Sequence, residues 1–504
     1  MGPARLYRLF PSPDWDDTDL DTSTDPFHPG GRFQTADKKN AIRDHFDACA
    51  PRRLAWERRA RAYYEEQIRY LRFLVPEGLR VLEIGSGLGN LLAALKPSRG
   101  LGIDLSPAMV NEAAQRHPTL EFRVGDVETL QLDETFDVII LADVVGHLLD
   151  VQRAFKRLRR LCTPQTRIVV SSYNHLWEPI LRLAEKVGLK MPQREHSWLS
   201  AADLTNLLYL ADFDVVKVER RVLLPLPVPF LAPLCNRLLA HLPGLRGLCL
   251  AHYVIARARL RRPERPYTTT IVVPCRNEQG NIDTVIRRIP QFGGRQEIIF
   301  VDGHSTDGTA DEIARVAAFY PDRSIKLLMQ DGQGKSDAIR MGFAHAMGDI
   351  LMILDADATM PPEALPKFYE AIASGKGECI IGCRLVYPLE GQTRRALTLF
   401  GNKIVGAVFS WLLNQRIKDT LCGTKVLFSR DYERLAATRQ YFGEFDPLGD
   451  FDLLFGASKL NLQIVEIPIR YEARTYGRAT IRRLAHGWLL FKMAVYGFVR
   501  LKAV

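Results

Sequence analysis

Residues 350–354 read Ile-Leu-Met-Ile-Leu, a short run without a polar residue, and Asp355 and Asp357 follow at once. A strand that is apolar at consecutive positions has both faces covered, as in the parallel sheet of an α/β fold. Pro361 and Pro362 prevent its continuation. Ligands of open α/β sheets bind beyond the carboxyl ends of the strands. An Asp-x-Asp there can offer oxygen ligands to Mg²⁺ or Mn²⁺, which in turn hold a diphosphate. An acidic surface turn is the alternative that an isolated Asp-x-Asp leaves open.

At 504 residues the chain exceeds one ordinary core, so two or three domains are expected. The net charge of +10 suits anionic partners such as nucleotide diphosphates, lipid phosphates or an anionic membrane. No nucleic-acid motif accompanies it, so nucleic acid is not expected as a partner. The eight cysteines are scattered through apolar runs, as expected of reduced, buried thiols in the cytoplasm. The first residues lack the basic-then-apolar layout of a signal peptide. No apolar run of about 20 residues is free of charge, so no spanning helix is expected. Two segments come close. Residues 223–250 are apolar and Pro-rich but broken by Arg237, His241 and Arg246; residues 488–499 contain Lys492 and precede Arg500. Both suit a membrane surface, or ordinary core packing.

Residues 1–40, acidic and then Pro- and Gly-containing, are expected to be disordered because they cannot bury a core. Residues 39–74 carry Trp56, Tyr63, Tyr64, Ile68 and Leu71 at helical spacing and should lead into a first domain over 41–260. There Arg80-Val-Leu-Glu-Ile-Gly-Ser-Gly-Leu-Gly-Asn reads as strand, glycine loop and helix. Gly85, Gly87 and Gly89 allow tight turning and close approach to a ligand. A second strand ends at Asp104, placed to accept hydrogen bonds from ribose hydroxyls. A third ends in Gly125-Asp126-Val127, and a fourth, 136–141, in Ala142-Asp143. The basic, Pro-containing stretch 257–266 reads as a linker, its core being 261–266.

The loop differs from the dinucleotide-binding G-x-G-x-x-G, whose last position is Asn90 here. Its spacing resembles instead the Glu-x-Gly-x-Gly-x-Gly loop of class I S-adenosylmethionine-dependent methyltransferases, over roughly 63–258. The resemblance implies that Glu83, Gly85, Gly87 and Gly89 line the methionine side of S-adenosyl-L-methionine. Asp104 would hold the ribose, and Asp126 and Val127 would face the adenine. It also implies a final hairpin from 213–220 and 249–257. The intervening 221–248 departs from the minimal pattern and is placed to cap the acceptor or touch membrane. No residue stands out as a methyl-transfer base; His147 follows the fourth strand, where a base and a structural or positioning role are both open. A domain that keeps the fold without the activity is the alternative.

A second α/β domain, 267–504, begins with a strand ending in Pro274-Cys275-Arg276-Asn277-Glu278. The next ends in Asp302-Gly303, and a third leads to Gly334-Lys335, which opens a helix before the Asp-x-Asp strand. No G-x-x-x-x-G-K-[ST] is present, which excludes a P-loop kinase or ATPase. The motif order resembles family 2 inverting glycosyltransferases of the GT-A fold over about 267–483, most nearly polyprenyl-phosphate sugar transferases such as dolichol-phosphate mannosyltransferase. This implies that Pro274, Arg276, Asn277, Glu278 and Asp302 hold the base and ribose of a nucleotide-diphosphate sugar. Lys335 would reach the nucleotide, and Asp355 and Asp357 would bind Mg²⁺ or Mn²⁺ and the diphosphate. Gly303 stands where many members have a second Asp. Residues 394–413 look like the helix by which the family meets membrane, Asp419 to Lys425 like its acceptor-side turn, and Arg474 to Arg478 like its Arg-x-x-Gly loop. That loop lacks the family's Ser-Lys, with Arg478, Arg482 and Arg483 supplying charge instead. Asp452 or Asp450 would serve as base for a hydroxyl acceptor, and Arg474 and Arg478 would neutralise the leaving diphosphate.

The expected architecture is thus two doubly wound α/β sheets, a Rossmann-like methyltransferase followed by a GT-A glycosyltransferase. The acceptor implied is a polyprenyl-phosphate or glycan, handled by a cytoplasmic chain peripheral to the inner face of the membrane. A glycosyltransferase with a non-catalytic, cofactor-binding or scaffold N-terminal domain is the alternative.

Overall fold

The computed structural model describes residues 31–503 apart from 194–195, 260–264, 388–395, 442–450, 473, 475 and 477–482. The first sheet has seven strands: β1 (Arg80–Ile84), β2 (Arg99–Asp104), β3 (Glu121–Val124), β4 (Phe136–Ala142), β5 (Cys162–Tyr173), β6 (Phe213–Arg221) and β7 (Ala251–Ala258). Their order is β3-β2-β1-β4-β5-β7-β6, parallel through β5 and antiparallel at β7 and β6. The reversal between β1 and β4 opens a crevice at their carboxyl ends, beside the glycine loop.

The second sheet comprises β8 (Thr269–Cys275), β9 (Gln296–Asp302), β10 (Ser324–Met329), β11 (Ile350–Ile353), β12 (Cys379–Cys383), β13 (Lys425–Phe428) and β14 (Ile464–Pro468). Its order is β10-β9-β8-β11-β13-β12-β14, with β13 antiparallel to both neighbours. β11 is central and buried at all four positions, flanked by β8 and β13. The double coverage inferred from its composition is therefore real. All eight cysteines are free thiols, and most are buried.

Three expectations change. The N-terminal helix Gly31–Arg59 starts inside the segment expected to be disordered, and a second helix, Arg61–Leu74, follows a break at Ala60. Residues 1–30 lie outside the described residues. β5 was not anticipated, because its apolar core (168–170) follows the polar stretch Thr163-Pro-Gln-Thr-Arg. Arg257, shared by the expected hairpin strand 249–257 and the expected linker, belongs to β7 and is fully buried, so the linker starts later.

That arginine explains how the halves join. Arg167 on β5 and Arg257 on β7 are cross-strand neighbours on one sheet face. Arg167 Nη2 lies 2.8 Å from Glu378 Oε1, and its Nε donates to the Asn461 carbonyl at 2.9 Å. Arg257 donates to Gln463 Oε1 (2.8 Å) and to the Gly375 carbonyl (2.5 Å). Glu378, Asn461, Gln463 and Gly375 all belong to the second domain. Carbonyls and a carboxylate offset most of the cost of drying the guanidiniums, although Arg257 Nη1 is buried without a hydrogen-bond partner. Between these polar contacts one apolar cluster runs across the boundary, from Tyr253 and Ile255 to Leu454 and Phe455.

Candidate functional sites

A cleft of about 700 Å³ opens at the carboxyl ends of β1, β2 and β4. Glu83, Gly85, Gly87, Asp104, Asp126 and Val127 line it, whereas Gly89, expected beside them, does not. The three glycines share positive φ but differ in their reason for being glycine. A Cβ at Gly85 would lie 2.6 Å from Val144 Cγ2, and one at Gly89 would lie 2.4 Å from Phe122. Protein packing excludes a side chain at both. Gly87, φ +50°, faces open space, so its backbone alone is bare toward the cleft.

The acids here are shaped by burial. Glu83 accepts the Leu92 N–H at 3.1 Å, and desolvation pushes its carboxyl well above the usual range. Asp104 accepts the N–H groups of Gly87 (2.8 Å) and Ser106 (2.9 Å), and burial raises it too. Asp126 forms an ion pair with Lys39 of the N-terminal helix, and Lys39 also lies 2.8 Å from Glu128. Lys39 lies where the segment expected to be disordered meets the expected helix 39–74, and nothing local in the sequence marks it as a partner of Asp126. Bare backbone at Gly87, acids with remaining acceptor capacity and a largely apolar wall fit a nucleoside carrying a compact polar tail.

Across the cleft, Asp143 ends β4 in a left-handed conformation (φ 57°). Its carboxylate accepts from Tyr63 Oη (2.7 Å), Gln67 Nε2 (2.9 Å) and Ser171 Oγ (2.8 Å). Three donors occupy it, so it positions Tyr63 rather than serving as a free base. His147 lines the cleft, its ring edge-on to Phe46 and 5.0 Å from the His196 ring. Burial, with Lys190 adding to it, holds His196 down at about 4.

The second site lies at the tips of β8, β9 and β11. Lys335 Nζ lies 2.5 Å from Asp355 Oδ1. Burial alone would raise Asp355, but Lys335, with Lys425 and Arg384 behind it, holds the carboxyl below its ordinary range. Asp357 Oδ1 accepts from the Thr359 hydroxyl at 2.7 Å, and its Oδ2 lies 3.8 Å from Arg474 Nη2. Arg474 also pairs with Glu278, which accepts from Asn281 Nδ2 at 2.6 Å. The loops after β8, β11 and β14 thus converge on one charged cluster.

Asp302 accepts the Ser305 N–H (3.0 Å) and its hydroxyl. Asn277, φ 56°, accepts from Thr306 N (2.8 Å). Pro274 is in β8, and Arg276 is exposed beyond it. At Gly303 an added Cβ would lie 3.0 Å from Gln330 Oε1, so a larger residue there would displace a buried glutamine. A Cβ at Gly423 would fall 2.0 Å from Asp355 Oδ2, so the turn 419–425 abuts the Asp-x-Asp.

Arg384, just past β12, was missed by sequence reading. It grips Asp419 with Nε (2.7 Å) and Nη2 (2.8 Å), and its charge reaches Asp355. Asp452 opens the helix Phe451–Lys459 and pairs with Arg439 (3.0 Å) and Arg340 (3.6 Å). Asp450 and Arg478, with Arg482, lie outside the described residues.

Among the described residues no three His, Cys, Asp or Glu side chains form a metal cage. Two adjacent carboxylates nevertheless fit Mg²⁺, which is usually held by one or two carboxylates while waters and substrate phosphates complete its shell. The low-lying Asp355 carboxyl is consistent with that role.

Both sites are therefore strand-tip sites of α/β domains suited to nucleotide-like ligands. Residues 56–218 match the family model described as Methyltransferase domain, and residues 270–435 match Glycosyl transferase family 2. One chain thus carries, in order, a segment that matches a methyltransferase domain and a segment that matches family 2 glycosyltransferases.

Over 223 residues it is 34% identical to the dolichol-phosphate mannosyltransferase of Pyrococcus furiosus, covering 42% of this chain and 59% of that protein. It is 37% identical over 111 residues to the undecaprenyl-phosphate 4-deoxy-4-formamido-L-arabinose transferase of Edwardsiella ictaluri, 21% of this chain and 34% of that one. Over 169 residues it is 32% identical to the ubiquinone biosynthesis O-methyltransferase of Bradyrhizobium diazoefficiens, 31% and 65% of the respective chains. The match spans less than two thirds of each relative. Among solved structures, a possible histamine N-methyltransferase from Thermotoga maritima aligns with TM-score 0.36 at 22% identity, covering 43% of this chain and 99% of that one. The glucosyl-3-phosphoglycerate synthase of Mycobacterium tuberculosis aligns with TM-score 0.35 at 18% identity, covering 47% and 80%.

Proposed function

We propose that the C-terminal domain moves a hexose, with inversion, from a nucleotide-diphosphate donor to a polyprenyl-phosphate or glycan acceptor at the inner face of the membrane. The N-terminal domain methylates a related molecule with S-adenosyl-L-methionine. The observation that carries the first half is the convergence of Lys335, Asp355, Asp357, Glu278 and Arg474. The related polyprenyl-phosphate sugar transferases support the acceptor class.

In this reading Pro274, Arg276, Asn277 and Asp302 hold the base and ribose. Glu278 aims Arg474 at the leaving diphosphate. Asp355 and Asp357 would hold Mg²⁺ or Mn²⁺, which when bound supplies charge neutralisation to the departing nucleotide diphosphate. Lys335 moves from Asp355 toward the diphosphate as donor binds. Asp452 would take the proton of a hydroxyl acceptor; an ionised phosphate acceptor needs no base. Arg478 and Asp450 keep the roles given by the resemblance, charge neutralisation and base.

In the first domain Gly87, Asp104, Asp126 and Val127 would hold the nucleoside, and Glu83, Gly85 and Gly89 shape the methionine end. A second reading, a cofactor-binding domain without catalysis, is favoured by one observation: Asp143 is occupied by three donors and offers no free base.

A thermal-shift screen of nucleotide sugars with and without Mn²⁺ tests the proposal. At least one sugar nucleotide should raise the melting temperature in a Mn²⁺-dependent way. A flat response to the whole set would overturn it.

A further inference from the structure

The wall of the methyltransferase cleft continues outside as an apolar lip. Ile180, Leu189 and Leu226 line the cleft and are at the same time exposed. Ile180 belongs to the helix Glu178–Lys186, whose Leu183 is also exposed. Leu226 begins the excursion between β6 and β7, which exposes Leu231, Leu234, Leu238 and Leu242 as well. Such a patch on a monomer marks a surface made for something apolar.

The excursion is a built structure. Asn236 is buried, and its amide both accepts from Leu224 N–H and donates to the Leu224 carbonyl, each at 2.9 Å. Trp177 Nε1 donates to the Leu248 carbonyl (2.8 Å), tying the excursion to the start of the helix Glu178–Lys186. At its tip Phe230 stands 92% exposed with φ 60° and ψ −41°. Positive φ is a strained choice for an aromatic residue. The backbone carbonyl of Phe230 accepts the Leu234 N–H at 3.2 Å, but its side chain gains no burial within the chain.

Charge names the occupant. Residues 222–250 contain no Asp or Glu but carry Arg237 and Arg246. The excursion abuts the second domain, where Trp411 Nε1 donates to the His241 carbonyl (2.7 Å) and stacks on Phe498. There the helix Arg483–Gly497 exposes Trp488, Phe491 and Val495 beside Lys492, and residues 483–502 are also free of acids. The lip helix adds Glu178 and Glu185, paired with Arg182 and Lys190; apolar side chains bordered by a net excess of cations match acyl chains beneath anionic headgroups.

We propose that the methyl acceptor is an amphiphile drawn from an anionic bilayer over this lip, with Phe230 as the wedge and the polar end reaching Tyr63 and Gln67. This rests on the methyltransferase reading above. The full chain should sediment with vesicles of phosphatidylcholine and phosphatidylglycerol in equal parts, and less with phosphatidylcholine alone. Phe230→Ser should weaken that binding about tenfold, the scale of one buried aromatic. Phe230→Trp should keep it, and neither should change the melting temperature. Equal vesicle binding by the wild type and Phe230→Ser, or no vesicle binding, overturns the proposal. So does a dimer dissociated by Phe230→Ser in the absence of vesicle binding. With vesicles of total membrane lipid and methyl-labelled S-adenosylmethionine, label should enter the organic phase. Label confined to water-soluble products overturns the amphiphile alone; label in neither phase overturns the methyltransferase reading with it.

Discussion

The two domains place acids at equivalent spots, the tips of central strands, and treat them oppositely. In the first domain Glu83 and Asp104 are surrounded by protein, and burial raises both. In the second, Lys335 overrides burial and pulls Asp355 down. An acid that burial has raised is suited to hydrogen bonding with ligand hydroxyls. One held ionised beside a lysine is suited to exchanging that lysine for another cation. Strand-tip position thus predicts that an acid is functional, but its neighbours decide whether it works as a hydrogen-bond acceptor or as a charge.

The sharpest break of this contrast is Asp357→Ala. It should reduce sugar transfer about a thousandfold or more while leaving S-adenosylmethionine affinity unchanged, because charge stabilisation in a strand-tip site is worth several kcal/mol. Steady-state transfer assays beside calorimetry with the cofactor would measure both. Turnover near wild type would remove the Asp-x-Asp from the chemistry.

Next in size is the seam between the domains. Arg167→Ala removes the 2.8 Å ion pair of Glu378, whose side chain is as buried as its partner's, and leaves that carboxylate the Gln463 N–H at 3.0 Å and Arg257 at 3.8 Å. Breaking one partner of a buried pair costs about 3–5 kcal/mol. Chemical denaturation should show that loss, and removing both charges with Arg167→Met and Glu378→Leu should recover much of it. If the single change costs under about 1 kcal/mol, the seam is wet and the domains are coupled by apolar contacts alone.

Third comes Asp104→Asn. Oδ2 accepts the Gly87 N–H and Oδ1 the Ser106 N–H, so in either orientation the amide nitrogen faces one of these donors and an acceptor beside the ligand is lost. Affinity for S-adenosylmethionine should fall about 10- to 100-fold, equivalent to about 1–3 kcal/mol. Sugar-nucleotide binding should not change. A matching loss in both sites would mean that they are coupled through the seam.

Much of this contrast was legible before the fold was known. β11 and its two aspartates, the glycine loop and the acids closing β2 and β9 are local patterns, and local patterns survive into the structure. What was missed depends on partners distant in sequence. Arg257 looks like linker charge until Gln463 and the Gly375 carbonyl are beside it. Lys39 has no meaning without Asp126, and Arg384 none without Asp419. The helix Ala396–Leu413, whose apolar face suits a membrane or the core, buries Phe409, Leu412 and Leu413, exposes Ile404 and gives Trp411 to the excursion. Its periodicity alone does not distinguish a lipid face from a protein face.

The smallest expected effect concerns histidine and pH. His241 sits in the excursion where it meets the second domain. Burial, with Arg221 and Lys502 nearby, lowers its imidazole from 6.5 to about 3. Its folded value lies below its unfolded one, so the neutral ring favours the fold. That contribution is complete above about 6.5 and declines as the pH falls toward 3, by up to about 1.4 kcal/mol per pH unit. Glu83 and Asp104, with raised values, act in the opposite sense, being favoured at low pH and costing stability as they ionise. Comparing the wild type with His241→Gln isolates the histidine. The variant should lose less stability than the wild type between pH 6.5 and pH 5, measured as a shallower fall in melting temperature. Parallel curves would place His241 in water and open the junction that links the excursion to Trp411.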